Sequence, residues 1–450
     1  MSSSSSSQPL ACEIGLRDGI ALVAGTMIGS GIFLVPAAIA QQVPSLCTVL
    51  LVWIVGAALA LAGALAFSEL GAMFPSAGGV YVYLRETFGA PLAFLYGWTS
   101  FIAIDTGAIA ALSAAFAIYL GQFLDLSSTQ RKVASIVLII ALTAANIIGV
   151  KFGKYIQNFL AVCKFGGLAA MSVLLLTHAN TVQIKHSFWP ADAHTSVSAF
   201  GVALLASMWA YFGWHNASYS TGEFKNPQRD LPPALVIGTL VVTGAYLLAN
   251  IAYYAVLSTQ QVAQADRVAA VALGTVLGSK AASLLAGLII ISVIGAANGL
   301  IMTSPRIPYA MAADGLLPQA LARSNSQTKT PIISIALQGC WAIVLSLVGT
   351  FGDLIAYAVF SACFFFAMTA LGVIKLRRSQ PERHRPFRSP GYPVVPVVFA
   401  LANYAIIVNT FVTTPKGACI GAGLVLLGIP VYFVFRGIVD KPAIAEVTAD

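Results

Sequence analysis

The sequence is short of charge. Of its 450 residues only 9% are Asp, Glu, Lys or Arg, against roughly 25% in an ordinary soluble domain. Twenty-four basic and 16 acidic side chains cannot clothe a water-soluble chain of this length, so a soluble globular protein is excluded. The six cysteines (Cys12, Cys47, Cys163, Cys340, Cys363 and Cys419) form no CxxC pair, and neither a disulfide framework nor a zinc site is expected. The five histidines offer no HExxH, and His178, His186 and His194 read as polar residues of one loop. No metal and no cofactor is therefore expected. Residues 1–9 are a serine run without a basic segment, which reads as a disordered tail rather than a signal peptide. The net charge of +8 does not point to nucleic acid, because the basic residues sit in short loops between apolar runs.

What is abundant is apolar sequence, 58% of the chain. A helix that crosses a hydrocarbon core of about 30 Å needs about 20 apolar residues. Cutting at polar and Pro/Gly clusters predicts twelve spans, at 17–42, 46–72, 90–120, 131–149, 153–177, 197–222, 232–258, 279–312, 331–350, 353–377, 391–412 and 417–436. The alternation of a membrane β-barrel strand is missing. The fold class is thus an all-α integral membrane protein with 12 transmembrane helices. Lys and Arg are divided unevenly: 17 fall on one side, six on the other, and Lys164 lies inside span five. The basic side is the cytoplasmic one, so a multi-pass protein of the cytoplasmic membrane with both termini inside is expected. Residues 74–89 are expected in the membrane interface as an amphipathic element, and 263–278 as a short extracellular cap.

Two spans carry signals that break a helix. Span one contains Gly25-Thr26-Met27-Ile28-Gly29-Ser30-Gly31-Ile32-Phe33, with Pro36 shortly after. Glycine costs about 1 kcal/mol against alanine inside a helix. An isolated GxxxG would mean close helix packing; here two glycines flank a serine near midspan. Unwound backbone at that depth is tolerated only inside protein or on a cavity wall. Span six contains Trp209-Ala210-Tyr211-Phe212-Gly213-Trp214-His215-Asn216, and polar groups within a span face an interior. The breaks lie five spans apart. Five is odd, so the second set of helices is inverted, which predicts two repeats at 15–178 and 179–378. Spans eleven and twelve follow at 379–437, with cytoplasmic tails at 1–14 and 438–450. Such paired broken helices mark the secondary-transporter architecture, with the substrate held between the repeats.

Backbone electrostatics then indicates a ligand. The second half of span one would start near Ser30 and expose free N–H groups at a positive dipole end, which suits a carboxylate. The first half of span six would end near Phe212 and expose carbonyl oxygens, which suit an ammonium group. A zwitterion satisfies both without a charged side chain. The expected substrate is an α-amino acid, and the candidate site residues at the first break are Met27, Ile28, Gly29, Ser30 and Gly31. Trp209, Ala210, Phe212, Gly213 and His215 serve from span six. Lys164 is costly inside a membrane and calls for interior polar partners. Asp105, inside span three, is a second such charge, read as partnering another polar group, lining the cavity or sitting near an aqueous end.

These segments together resemble the amino acid–polyamine–organocation (APC) transporters, especially the bacterial and L-type amino acid members. Beyond the two breaks, the resemblance rests on Phe74-Pro75-Ser76-Ala77-Gly78-Gly79-Val80-Tyr81 and on Glu223-Phe224-Lys225-Asn226-Pro227. It continues in Ser304-Pro305-Arg306 with Asp314-Gly315-Leu316, and in Arg385-Pro386-Phe387-Arg388 before span eleven. It implies alternating-access transport of amino acids, by exchange or proton symport and without sodium. Neutral substrates are favoured because few charges surround the breaks. It also implies that the Ser30 and Gly31 amides take the carboxylate and the Met27, Trp209 and Phe212 carbonyls the amino group, with Trp209 closing over the substrate. Lys164 matches a lysine that stands where sodium-coupled relatives bind a cation. His215 departs from an L-type asparagine, and Asp105 has no matching acid in the eukaryotic L-type pattern. Eukaryotic L-type members bond an accessory glycoprotein through a cysteine between spans three and four. Residues 121–130 contain none, so no disulfide-linked accessory subunit is expected. The partners implied are the substrate, the lipid bilayer and, for symport, protons. Two rival readings are an intramembrane serine hydrolase using Ser30 and His215 and a channel. The first gives the serine a second task in a break that already has one, and the second lacks a filter or ring of charge.

Overall fold

The computed structural model describes residues 10–189, 194–265, 267–348, 351–413 and 415–439. Most of the two expected tails, at 1–9 and 440–450, lies outside the described residues. Among the described residues the regular elements are helices, joined by one isolated backbone bridge between Ile14 and Phe224.

Ten helices are long and apolar enough to cross a bilayer. They are span two (Leu46–Met73), three (Ala90–Leu120), four (Ser128–Ile148), five (Val150–Thr177) and six (Val197–Glu223). Seven (Pro227–Val256), eight (Ala281–Ala313), ten (Ala358–Ser379), eleven (Val394–Thr413) and twelve (Pro415–Arg436) complete the set. Span one is a broken pair, Leu16–Met27 and Gly31–Ala40, bent by 47°. Span nine is the shorter helix Ile332–Val348 of 17 residues, still within the crossing range. Among the described residues these ten helices, the bent pair and the shorter helix fall at the twelve expected positions, with ends displaced by a few residues. Ser45, Ser127 and Ser196 start spans two, four and six by accepting the Thr48, Gln130 and Ala199 amides, the usual way to satisfy a first-turn N–H.

The burial pattern is that of a protein dissolved in lipid. Large aliphatic and aromatic side chains such as Val137, Phe159, Leu401 and Phe433 are exposed on the outer faces, where acyl chains are the solvent. The interior is rich in tyrosine: Tyr81, Tyr83, Tyr96, Tyr211, Tyr219, Tyr246, Tyr253 and Tyr254 are fully buried. Span one runs through the centre. Its first half packs on spans five, seven and eight, and its second half on the first half of span six.

Buried ion pairs clamp one end of the bundle. Arg306 of span eight holds Glu223 at the end of span six by two bonds of 2.9 and 2.7 Å. Arg377 of span ten holds Glu69 of span two at 2.9 and 2.6 Å, and the Ser389 amide joins at 2.7 Å. Each carboxylate is 1% exposed or less; removing Arg306 would strand the Glu223 charge in a low-dielectric interior, whereas Glu69 would keep Arg385 at 3.5 Å.

One expected element sits elsewhere. Within 74–89, the helix Val80–Phe88 buries Val80, Tyr81, Val82, Tyr83, Leu84 and Thr87, so it is an internal strut and not an interfacial ribbon. Polar partners inside the protein explain this. Tyr81 donates to Asp314 at 2.7 Å, Arg85 pairs with the same carboxylate, and the Gly78 amide donates to the Tyr219 carbonyl at 2.8 Å. The segment 263–278 does form a cap. Helices Thr259–Gln264 and Val268–Leu277 cover the second half of span one, and Gln41 Nε2 donates to the Ala263 carbonyl at 3.0 Å.

Candidate substrate-binding site

Span one stops at Met27 because Ile28 leaves the helical region (φ −76°, ψ 93°), and it resumes at Gly31. Ser30 takes the N-cap position, but its side chain makes no capping bond and its hydroxyl is buried without a partner. The first N–H groups of a helix have no intrahelical acceptor. Among the described residues no acceptor meets the Ser30, Gly31 and Ile32 amides; the Phe33 amide turns back to the Ser30 carbonyl at 3.1 Å. Three amides and a hydroxyl are thus free at a positive dipole end.

Span six is α-helical through Ala210, turns over Tyr211–Gly213 and continues as a 3-10 helix, Trp214–Glu223. Gly213 sits at φ +112°, a region that a side chain strongly disfavours. A β carbon there would also lie 2.9 Å from the Thr26 carbonyl oxygen. The two breaks touch: a β carbon on Gly31 would stand 2.8 Å from the Ala210 Cα. Thr26 Oγ1 donates to the Gly213 carbonyl at 3.0 Å across the contact.

Between the breaks lies a cavity of about 30 Å³, walled by Thr26, Met27, Gly29, Ser30, Gly31, Trp209, Ala210, Phe212, Gly213 and Asn216. Ala108 and Leu112 of span three and Ala296 and Leu300 of span eight close it. This is room for about one or two water molecules, so an amino acid enters only when the walls part. Trp209 and Phe212 stack at 6.0 Å and 18° and are partly exposed, which makes them the lid on one side. On the other side the Ile14 amide donates to the Glu223 carbonyl at 3.0 Å, and the Lys225 amide to the Ile14 carbonyl at 2.9 Å. Lys154 and Asn158 of span five hold Asp18 at 3.2 and 2.8 Å.

Eight of the ten expected binding residues meet at this cavity. The exceptions are Ile28 and His215. The Ile28 carbonyl turns away and accepts Lys164 Nζ at 2.8 Å and Ser292 Oγ at 3.0 Å. The His215 ring faces Phe366 (4.4 Å), Phe212 (5.0 Å) and Tyr219 (5.5 Å), because the 3-10 helix turns it a third of a revolution from Asn216. Among the described residues neither Ser30 Oγ nor the His215 nitrogens has a partner, so the two form no nucleophile–base pair.

Lys164 is fully buried and also donates to the Gly25 carbonyl at 2.6 Å. With Ser292, which reaches the Gly29 carbonyl at 3.1 Å, it ties the back of the break to spans five and eight. Asp105 is not on the cavity wall; its carboxylate accepts the Ser100 hydroxyl.

Of the three carbonyls expected for an amino group, Trp209 accepts the Phe212 amide at 3.0 Å, and Met27 accepts the Gly29 amide and the Tyr246 hydroxyl, each at 3.0 Å. Only Phe212 has no donor among the described residues. Tyr246 also donates to the Ala210 carbonyl at 3.0 Å, so one hydroxyl bridges both breaks. Nothing in its sequence context, a tyrosine among apolar residues of span seven, signals that task. Changing Tyr246→Phe leaves the buried Ala210 carbonyl short of a donor, at about 1–2 kcal/mol, while Met27 keeps the Gly29 amide. A rise of about tenfold in KM for uptake is expected; an unaltered KM would show that the bridge carries no load in transport.

Paired broken helices around a buried, dipole-lined cavity define a multi-pass membrane transporter. The family model for amino acid permeases matches residues 14–435. The chain is 32% identical over 431 residues to the b(0,+)-type amino acid transporter 1 of Rattus norvegicus, covering 94% of this chain and 88% of that one. It is 32% identical over 424 residues to the serine/threonine exchanger SteT of Bacillus subtilis, covering 94% and 96%. The cystine/glutamate transporter of Homo sapiens is 28% identical over 430 residues, covering 94% and 85%. The chain belongs to the amino acid permease family, within the APC superfamily. It is a transporter and not an enzyme.

Proposed function

We propose that the chain carries neutral L-amino acids across the cytoplasmic membrane by alternating access, without sodium, as an exchanger or a proton symporter. The observation that carries this reading is the set of unpaired Ser30, Gly31 and Ile32 amides facing the end of the first half of span six. No side chain on the cavity wall is charged, so the backbone dipoles supply the recognition of both poles of a zwitterion. Binding would let Phe212, and then Met27 and Trp209 as their present donors give way, accept the ammonium group. Trp209 would seal the lid, and the removal of water would strengthen these dipole contacts.

The remaining parts follow from the same reading. Residues 15–178 and 179–378 act as inverted repeats, each opening with a broken span, and 379–437 add two peripheral spans. Both termini lie in the cytoplasm, by the asymmetry of Lys and Arg. Lys164 fills the place of a coupling cation, and the region between spans three and four has no cysteine with which to hold an accessory subunit.

Uptake of one radiolabelled neutral amino acid into proteoliposomes, with all twenty amino acids as competitors, tests the proposal. Neutral L-amino acids should compete, and replacing sodium by choline should leave the rate intact. Competition confined to arginine, lysine, glutamate and aspartate would overturn the substrate class. Strict dependence on sodium would overturn the role given to Lys164.

A further inference from the structure

Span three is not a plain α-helix. Between Ala90–Thr99 and Asp105–Leu120 the residues Ser100–Ile104 form a π turn, a rare register that gathers at functional sites. It brings residues five apart together: Ser100 donates to Asp105, and Thr106 donates to the Phe101 carbonyl. Asp105 is 1% exposed, and its Oδ1 has no partner among the described residues. The ion pairs of the described residues engage Glu13, Asp18, Glu69, Glu86, Glu223 and Asp314, and none reaches Asp105.

Buried polar groups gather on the second half of span six and on Tyr96 of span three. The hydroxyls of Tyr96 and Tyr219 bond to each other, and both rings lie within electrostatic reach of Asp105. His215, four residues before Tyr219, has two buried nitrogens without a partner among the described residues. The Asn216 carbonyl oxygen and the Ser218 and Ser220 hydroxyls are in the same position. Tyr83 is in reach of Tyr96 and Tyr219, and the packed helices also carry Cys363 of span ten, Cys340 of span nine, and Tyr432 and Arg436 of span twelve. Lys164 is committed to the Gly25 and Ile28 carbonyls. Buried polar atoms left unpaired in such numbers mark a place for water or a ligand. A buried carboxylate without a cation is unstable until it is neutralised.

This polar patch meets the substrate cavity at two points. Ala108 and Leu112, one and two turns beyond Asp105, are on the cavity wall, and so is Asn216 beside His215. We propose that Asp105 binds a transported proton and is the coupling residue of a proton-linked amino acid symport. This rests on the transporter reading above and selects one of its two modes. A hydronium that enters from the substrate cavity gives its proton to Asp105 Oδ1. One O–H bond forms, another breaks, and water remains. The neutral carboxyl lets the walls close over substrate without a buried unpaired charge. On the other side of the membrane the new O–H bond breaks, the proton passes to water and the carboxylate returns.

The test uses the full chain in proteoliposomes loaded with a pH-sensitive dye, with the membrane potential clamped and serine as substrate. In the wild type, external serine should acidify the lumen, and a gradient of one pH unit should drive about tenfold accumulation at one proton per substrate. Asp105→Asn should lose both while still exchanging serine at a rate that no longer follows pH. Luminal acidification that persists in Asp105→Asn overturns the proposal, as does its absence in a wild type that performs serine counterflow. If Asp105→Asn loses counterflow as well, Asp105→Glu decides: a displaced pH optimum with retained proton flux supports the proposal, and an unmoved optimum overturns it. Loss of lysine and arginine uptake alone, with serine-driven proton flux intact, would make Asp105 the partner of a cationic substrate instead. A wild type without counterflow of any amino acid would defeat the transporter reading itself.

Discussion

Changing Lys164→Ala is expected to lower the kcat/KM of uptake by up to about 100-fold while the protein still folds. The amino group holds two carbonyls of the span-one break, Gly25 at 2.6 Å and Ile28 at 2.8 Å. Ile28 keeps the Ser292 hydroxyl at 3.0 Å, so the Gly25 carbonyl is the acceptor that loses its donor, at about 1–3 kcal/mol, which is up to about 100-fold in the population of the closed form. The break is what presents the Ser30 and Gly31 amides, so loosening it removes the carboxylate site without touching substrate. Thermal stability should move little, because deleting a buried amine also removes the cost of keeping it from water. Initial rates in proteoliposomes and a melting curve together check this. Wild-type uptake in Lys164→Ala would reduce the lysine to a passenger.

Gly213→Ala should abolish transport outright. At φ +112° an alanine is strained by about 1–3 kcal/mol, and its β carbon would press on the Thr26 carbonyl oxygen at 2.9 Å. The oxygen belongs to backbone at the end of the first half of span one, so relief requires the two breaks to separate. Separation would also lengthen the bond from Thr26 Oγ1 to the Gly213 carbonyl and loosen the Tyr246 bridge. Gly201→Ala and Gly244→Ala are the controls. Both lie within helices with nothing inside 4 Å of the added carbon, and each should gain up to about 1 kcal/mol of helix stability. Measured uptake near the control level in Gly213→Ala would mean that the contact between breaks is not needed for the cycle.

Much of this site could be read from the chain. Gly29, Ser30 and Gly31 announce a helix break because glycine weakens a helix wherever it falls, and Gly213 among aromatics announces the second. What could not be read is which atoms near the breaks are free. Ile28 was expected at the substrate and instead faces Lys164 and Ser292, since one residue past a helix end changes the direction of a carbonyl completely. His215 was expected there too, and the 3-10 turn sends it to Phe366 while Asn216 takes the wall. Ala108, Leu112, Ala296 and Leu300 carry no signal, because an apolar residue facing a cavity looks like one facing lipid.

The sequence by itself determined the membrane class, the twelve crossings, the two interruptions and the kind of ligand they suit. Each of these depends on local quantities: the cost of burying charge, the length of an apolar run, the weakness of glycine in a helix. Only the tertiary structure decided that Tyr246 bridges Met27 and Ala210, that Val80–Phe88 is buried, and that Asp105 stands beside a π turn with no ion pair among the described residues. Those outcomes come from groups up to a few hundred residues apart meeting in a space with almost no water, where whether a polar atom has a partner depends on packing and not on its neighbours in the chain.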